Sequence, residues 1–324
     1  MDIVLPPKLA KGDRVGVCSP SGTIAHKRDL FDRAKANFER ATGLWLVVAP
    51  NAFAKHYYSA GTPEERVADF HSFIDNPDIK AVIFSAGGDT AIDLLPLLDY
   101  ERIRRHPKII SGISDATTIL SAILAKTGLV TFLGLEFLDF AEYPMTYELH
   151  SIEREWFQGT LGVITPNPEW KELRGNYNAY DGWKAIRPGT CEGQFVGGNL
   201  QSFLQLVGTE YELPFQDSIL FMEAYKLPKK QIRKALMQLR LRGVFGKIKG
   251  LVVGYCLECE NPQVVGNEQP LAETILEVTA DDEFPIMQVG EIGHCVENVL
   301  QPIGAWARID ADKLSFEIIG NVTE

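Results

Sequence analysis

Short apolar runs alternate with amphipathic stretches along the first 140 residues. The runs are rich in Val, Ile and Leu, which is typical of strands buried on both faces. The runs predict strands at 14–18, 44–49, 79–85, 108–111 and 130–133. Between the runs, apolar residues recur at helical spacing, which predicts helices at 26–41, 63–76, 91–98 and 115–126. Strands separated by helices imply a mostly parallel sheet covered by helices on both faces.

The helix that begins at Pro63 has the clearest boundary signal. Thr62 can cap it, and Glu65 sits at the offset of a capping box. Proline suits the first helical position because its missing N–H has no partner there.

The pattern changes near residue 140. A helix over about 146–158 is followed by an irregular, polar connection that contains Trp170 and Trp183. Long connections of this kind are usually functional or disordered. Beyond Thr190 the elements are mixed and end in a hairpin over 305–319. We expect a first domain over 1–165, a connection over 166–189 and a second domain over 190–324.

Composition narrows the range of functions. The chain has 324 residues, 45% of them hydrophobic, and a net charge of −11. Such proportions exclude a disordered chain, and the acidity argues against nucleic-acid polymers and anionic membrane surfaces as partners. No membrane span or secretory signal is apparent. Five cysteines, an odd number, are expected to be reduced thiols in a cytoplasmic protein.

Ser114 is the first candidate for chemistry. It lies at the junction of an apolar strand and a helix, with Gly112 two residues before it and Ala116 two residues after. This G-x-S-x-A pattern resembles a nucleophile elbow, in which a sharp turn exposes the hydroxyl next to a helix N-terminus. The alternative is a serine that only caps the following helix.

Gly87 and Gly88 follow the neighbouring predicted strand. Paired glycines after a strand let a ligand or a second loop approach the backbone closely, as an oxyanion donor requires. The alternative is a tight turn with no such role. Both this turn and Ser114 fall at the carboxyl ends of strands, where open α/β sheets bind ligands.

Glu223 and His294 are further candidates. Glu223 ends an apolar strand, and His294 lies in a glycine-flanked loop after another. A surface glutamate and a structural histidine are the alternatives. Together with Ser114 they follow the order Ser, Glu, His, in which the histidine can take the serine proton and the acid can orient the imidazole.

Two other features do not indicate chemistry. Cys256 and Cys259 have the spacing of zinc and redox motifs, but the chain offers no second ligand pair at matching spacing. Neither a Walker motif nor a GxGxxG motif is present, so we expect no metal and no cofactor.

Six blocks in order resemble the LD-carboxypeptidase family of serine peptidases. They are 11–21, Gly87-Gly88 with 94–99, 107–117, 197–200, 219–223, and 293–298 with 302–304. The resemblance implies a flavodoxin-like parallel-sheet N-terminal domain, which carries the nucleophile. It also implies a smaller, β-rich C-terminal domain, which carries the acid and the base, and a homodimer.

The resemblance also implies roles for single residues. Ser114 matches the family nucleophile, Glu223 the triad acid and His294 the general base. The backbone N–H groups of Gly88 and Asp115 match the oxyanion hole.

Two branches of the family are open. The murein branch removes the terminal D-alanine of a peptidoglycan tetrapeptide, and the microcin C immunity branch hydrolyses the amide that joins an aminoacyl group to a modified nucleotide. The murein branch usually has Arg before its Gly-Gly and an aromatic residue after it, whereas this chain has Ala86 and Asp89. The block 126–132 and the connection resemble the immunity branch.

The immunity branch would give the connection a role. Trp170 or Trp183 can stack on a base there, although packing is the commoner role of such residues.

Two other classes of function remain as alternatives. An α/β-hydrolase esterase would want Gly at position 116 and an HGGG-type loop, and neither is present. A non-catalytic small-ligand-binding protein of the same fold is the other.

Overall fold

The computed structural model describes residues 2–174, 180, 182–259 and 269–324. Contacts divide the chain into two compact units. The first comprises Met1–Thr160, Leu300–Gly304 and Asn321–Glu324, and the second comprises Leu161–Val299 and Ala305–Gly320. The domain boundaries expected from the sequence stay predictions beside this division.

The first unit contains a six-stranded sheet. Its strands are β1 (Arg14–Cys18), β2 (Trp45–Val48), β3 (Ile79–Phe84), β4 (Ile109–Gly112), β5 (Thr131–Leu133) and, from much later in the chain, β12 (Gln301–Ile303). The sheet order is β12-β5-β4-β3-β1-β2, with β1 to β5 parallel and β12 antiparallel to β5. The order 2-1-3-4-5 is that of flavodoxin-like folds, so the predicted fold class is confirmed.

The helices of this unit follow the predicted alternation. They are α1 (Arg28–Thr42), α2 (Pro63–Asp75), α3 (Tyr100–Arg105), α4 (Ala116–Thr127) and α5 (Thr146–Ile152), which continues as a π-helical turn over Glu153–Gln158. The capping box of α2 is present, since Thr62 accepts from the Glu65 amide and Glu65 accepts from the Thr62 amide. The helix expected over 91–98 is only a 3₁₀ turn, Ala91–Leu94.

The second unit is β-rich, as the resemblance implied. Its eight-stranded sheet has the order β6-β14-β13-β8-β9-β10-β11-β7. These strands are β6 (Gly162–Ile164), β7 (Lys184–Arg187), β8 (Thr190–Asn199), β9 (Ser218–Glu223), β10 (Gly250–Tyr255), β11 (Ile286–Gly293), β13 (Trp306–Asp310) and β14 (Ser315–Ile319). Strands β8 to β11 are parallel, so their carboxyl ends share one edge.

Within the described residues, three helices belong to the second unit. They are α6 (Leu200–Phe203), α7 (Lys229–Leu241) and α8 (Leu271–Val278). Helix α7 connects β9 to β10, and α8 connects β10 to β11, as parallel pairs require. In the described ranges, no helix combines the length and the apolar character that crossing a bilayer would need.

A buried carboxyl group stands out in the core of the first unit. Glu155 is fully buried and accepts a hydrogen bond from Ser151 Oγ at 2.5 Å. Burial raises the pKa of Glu155 well above its usual range, and the hydrogen bond from Ser151 opposes this only in part. The folded protein therefore holds Glu155 protonated under conditions in which the unfolded chain ionises it.

We expect Glu155→Gln to stabilise the protein at neutral pH but not in acid. The pKa of Glu155 is higher in the folded state than in the unfolded chain. Its contribution to the free energy of unfolding is therefore complete below the ordinary carboxyl pKa, and it is lost as the pH rises toward the pKa of the folded state. Urea denaturation at pH values from 4 to 8 measures this. The free-energy difference between Glu155→Gln and wild type should widen with pH. Glu153→Gln, on an exposed residue of the same turn, is the control, and an equal widening there would contradict the assignment.

Candidate active site

Ser114 occupies the sharp turn between β4 and α4. Its φ is +64°, a left-handed conformation that non-glycine residues rarely adopt. The N-cap of α4 is Asp115, whose side chain makes no capping hydrogen bond to the helix. Ser114 therefore lies in a left-handed turn before the N-cap of α4, and its role as the nucleophile stays a prediction. Gly112 is needed because a β-carbon there would lie 2.9 Å from Ala116 Cβ and 3.0 Å from Phe84 Cβ.

The segment after β3 passes directly against Ser114. A β-carbon on Gly87 would lie 2.5 Å from Ser114 Cβ and 2.8 Å from its Oγ. Gly88 has a φ of +152°, and a β-carbon there would lie 2.3 Å from Ser21 Oγ. Both glycines are therefore required by close backbone approach, which is the geometry the Gly-Gly pair predicted.

The Asp115 side chain has a structural partner in the loop after β1. Its Oδ2 accepts from Ser21 Oγ at 2.5 Å and from the Ala91 amide at 2.8 Å. Ser21 Oγ in turn accepts from the Thr90 amide at 3.0 Å. The backbone N–H of Asp115 lies at the N-terminus of α4, where the helix dipole favours a developing negative charge.

In the second unit, Glu223 is the last residue of β9 and is 4% exposed. A surface position is thereby excluded. The register of β8 and β9 sets Asn199 directly opposite Glu223, and Asn199 Nδ2 donates to Glu223 Oε1 at 2.8 Å. The other carboxylate oxygen, Oε2, faces His294 Nδ1 at 2.8 Å. Both carboxylate oxygens are thus engaged, as a buried acid requires.

His294 follows the end of β11 and is 6% exposed. The turn around it is forced: Gly293 has a φ of +155°, and Cys295 has a φ of +60°. Asn298 is buried and accepts from the Gly293 amide at 2.8 Å, which fixes the loop that carries the imidazole. Tyr225 packs on the imidazole with 4.8 Å between ring centroids. The imidazole nitrogen that faces the carboxylate is therefore Nδ1.

The two tryptophans of the connection differ in their surroundings. Trp183 is 8% exposed and donates from Nε1 to the buried Glu291 at 2.5 Å. Trp170 is half-buried and donates to the Gly290 carbonyl at 2.7 Å, and its ring lies 4.2 Å from that of Tyr180. Their predicted role in substrate binding stays a prediction, and packing accounts for Trp183 without it.

The two cysteines of the CxxC pair are free thiols. The neighbouring Cys259 thiol and burial raise the pKa of Cys256 well above its usual range, which makes a reactive thiolate unfavourable. Among the described residues, no group of three or more His, Cys, Asp or Glu side chains could hold a metal ion.

The structure thus groups the predicted residues into two sets. Ser114, Asp115, Gly87 and Gly88 lie together in the first unit, and Glu223 and His294 are hydrogen-bonded in the second. Sequence reasoning assigned no role to Asn199, Asn298 or Ser21. An asparagine at a strand-to-helix junction was the available signal for Asn199, which also caps α6 by accepting from the Ser202 amide.

Comparisons with known proteins identify the family of the chain. The N-terminal domain model of the LD-carboxypeptidases matches residues 15–134, and the C-terminal domain model of the same family matches residues 192–309. The microcin C7 self-immunity protein MccF of Escherichia coli is 30% identical over 97% of this chain and 95% of its own length. A probable murein peptide carboxypeptidase of Bacillus subtilis is 30% identical over 98% of this chain and 95% of its own.

Solved structures show the same likeness. MccF in complex with glutamyl sulfamoyl guanosine superposes with a TM-score of 0.89 at 27% identity, covering 99% of both chains. MccF in complex with aspartyl sulfamoyl adenosine gives the same TM-score and identity, covering 99% of this chain and 100% of that one. The chain belongs to the LD-carboxypeptidase family and is a serine-type hydrolase.

Proposed function

We propose that the protein is a serine peptidase or amidase in which Ser114, His294 and Glu223 act as a catalytic triad. The buried His294–Glu223 pair, with 2.8 Å between Nδ1 and Oε2, carries this proposal. An imidazole oriented by a carboxylate is the base that a serine nucleophile requires. The left-handed backbone of Ser114 supports it, because strain of this kind is commonly retained at functional sites.

In the first half of the reaction, Ser114 Oγ attacks the scissile carbonyl while His294 Nε2 takes its proton. Glu223 holds the Nδ1–H tautomer and stabilises the imidazolium that forms, and Asn199 keeps that carboxylate in position. The backbone N–H groups of Gly88 and Asp115 stabilise the tetrahedral oxyanion. One such donor contributes on the order of 10²–10³ in rate.

Collapse of the tetrahedral intermediate breaks the C–N bond. His294 returns the proton to the leaving amine, and an acyl-enzyme remains on Ser114. A water molecule then loses a proton to the same imidazole and attacks the ester. The net reaction adds one water to one amide and releases a carboxylate and an amine.

We propose an aminoacyl-nucleotide amide, of the microcin C immunity type, as the substrate. Support comes from the MccF structures, whose ligands are glutamyl sulfamoyl guanosine and aspartyl sulfamoyl adenosine. The residues beside Gly87-Gly88 favour it too, because Ala86 and Asp89 depart from the Arg and aromatic pattern of the murein branch.

A murein tetrapeptide is the second candidate. The Bacillus subtilis murein peptide carboxypeptidase has the same 30% identity as MccF, so overall similarity does not separate the branches. The homodimer implied by the resemblance and the cytoplasmic location expected from the composition stay predictions.

The central test compares wild type with Ser114→Ala on two substrates, aspartyl sulfamoyl adenosine and a murein tetrapeptide. We expect the wild type to hydrolyse the first, and Ser114→Ala to lose activity by on the order of 10⁴-fold with the fold intact. Product formation is followed by chromatography, and circular dichroism checks folding. Unchanged turnover in Ser114→Ala would exclude the triad. Hydrolysis of the tetrapeptide alone would assign the murein branch, and hydrolysis of neither would favour a binding protein.

Gly87→Ala tests the close approach of this segment to the nucleophile. Because the added methyl would lie 2.5 Å from Ser114 Cβ, we expect the serine or the segment to shift and kcat to fall at least about 100-fold. Gly246→Ala is the matched control, since the nearest atom to its added carbon lies 3.8 Å away. Steady-state kinetics of both variants decide the point, and equal activities would argue against contact between the segment and Ser114.

A chelator should leave turnover unchanged. The proposed mechanism takes its base, nucleophile and oxyanion donors from protein groups, so no step requires a Lewis acid. Rates measured before and after prolonged incubation with EDTA check this. A loss restored by added Zn²⁺ would instead direct attention to Cys256 and Cys259.

A further inference from the structure

Arg66 is a charged side chain that the proposed mechanism does not use. It lies in the first turns of α2 and is 2% exposed. Its Nη1 donates to the Pro20 carbonyl at 2.6 Å, to the Thr90 carbonyl at 2.9 Å and to Thr90 Oγ1 at 3.0 Å. Its Nη2 pairs with Asp93 at 3.1 Å. Removing a guanidinium from water costs free energy of desolvation. A buried guanidinium that bonds to two loops is therefore a candidate for a functional role.

The loops that Arg66 joins are those after β1 and β3. Pro20 belongs to the loop after β1. Thr90 belongs to the loop after β3 and is the last residue of Gly87–Thr90, which we call the oxyanion segment. The two loops are also joined by the Gly22 amide, which donates to the Gly87 carbonyl at 3.0 Å. Arg66 therefore bridges the loops on both sides of the point where the strand order reverses.

A second anchor reaches the same segment from the Ser114 turn. Asp115 Oδ2 accepts from the Ala91 amide, and Ser21 Oγ links that oxygen to the Thr90 amide. Thr90 is thus fixed through its amide by the Ser21–Asp115 pair, through its carbonyl by Arg66, and through its hydroxyl by Arg66 and by Ser59 Oγ, which donates to it at 3.2 Å. Gly87 and Gly88 lie just before this doubly anchored residue and have no side chains to fix them.

An oxyanion donor is effective only when its N–H already points at the position of the charge. We propose that Arg66 is a positioning residue that, acting through Thr90, holds the Gly88 N–H in place beside Ser114. This inference rests on the proposed function, because it concerns the oxyanion hole of that same reaction. Arg66 touches neither Ser114 nor the reacting atoms. Its effect should therefore appear in the transition state rather than in substrate binding.

The test uses Arg66→Lys, and Thr90→Val paired with Thr90→Ser. Lysine keeps the charge but has a single ammonium in place of the two-armed guanidinium. Valine keeps the volume of Thr90 and removes the hydroxyl, whereas serine keeps the hydroxyl. We expect kcat to fall about 10–100-fold in Arg66→Lys and Thr90→Val with KM within about twofold of wild type. Thr90→Ser should restore most of the rate lost in Thr90→Val.

A second readout separates positioning from general loss of stability. A fluorophosphonate forms a bond from Ser114 Oγ to phosphorus and releases fluoride, and its phosphoryl oxygen draws on the same oxyanion donors. The second-order labelling rate should fall by the same factor as kcat. Arg187→Lys is the matched control, because Arg187 donates to the Thr279 carbonyl at 2.7 Å and to Thr279 Oγ1 at 2.9 Å, at the opposite end of β11 from His294.

The outcomes distinguish failure of the positioning role of Arg66 from failure of the proposed function. Wild-type labelling and kcat in Arg66→Lys and Thr90→Val would overturn the positioning role while leaving the triad intact. Losses that only track the melting temperature, as in Arg187→Lys, would also overturn it. If Arg66→Lys fails to fold, the Thr90 pair decides alone. Failure of wild type to be labelled at Ser114, with activity retained in Ser114→Ala, would instead overturn the proposed function.

Discussion

The contact between Gly87 and Ser114 is the constraint on which the first unit depends. Ser114 turns through a left-handed conformation at the end of β4, and the neighbouring loop passes close beside it. A side chain on Gly87 would occupy the space of the hydroxyl. The loop can therefore approach Ser114 only where it has no side chain. Because a glycine has no side chain to fix its position, other residues must hold this loop in place. Asp115, Ser21, Thr90 and Arg66 do so.

The second unit meets a similar requirement with different residues. Glu223, Asn199 and His294 lie at or just beyond the carboxyl ends of β9, β8 and β11, which run parallel. Backbone again passes close by, since a β-carbon on Gly197 would lie 1.8 Å from the Phe221 carbonyl oxygen. In each unit, parallel strands bring residues distant in sequence to one edge, and glycines let the backbone close around them.

Much of the fold of the first unit was predictable from the local sequence pattern. The β1–β5 alternation, the capping box at Thr62 and the sharp turn at Ser114 follow from spacing and composition over a few residues. Arg66 was not predictable, because a single arginine in an amphipathic helix reads as a solvated residue until the loops above it are known. The Asn199–Glu223 pair depends on strand register, which no local signal fixes. The local pattern did not predict strand β12, because it has only three residues and contains Pro302, a residue that disfavours strands. The proline is tolerated because β12 lies at the edge of the sheet.

Strand β12 has a consequence for how the chain is made. It comes from Gln301–Ile303 yet completes the sheet of the first unit beside β5. A ribosome has therefore synthesised Leu161–Val299 of the second unit before the outer edge of that sheet can be paired. Until then the backbone groups of Thr131–Leu133 face an open edge, which is the kind of surface that recruits other chains. Protection of that edge thus depends on residues that follow most of the second unit, so termination before Gln301 would release the N-terminal sheet with an exposed edge strand.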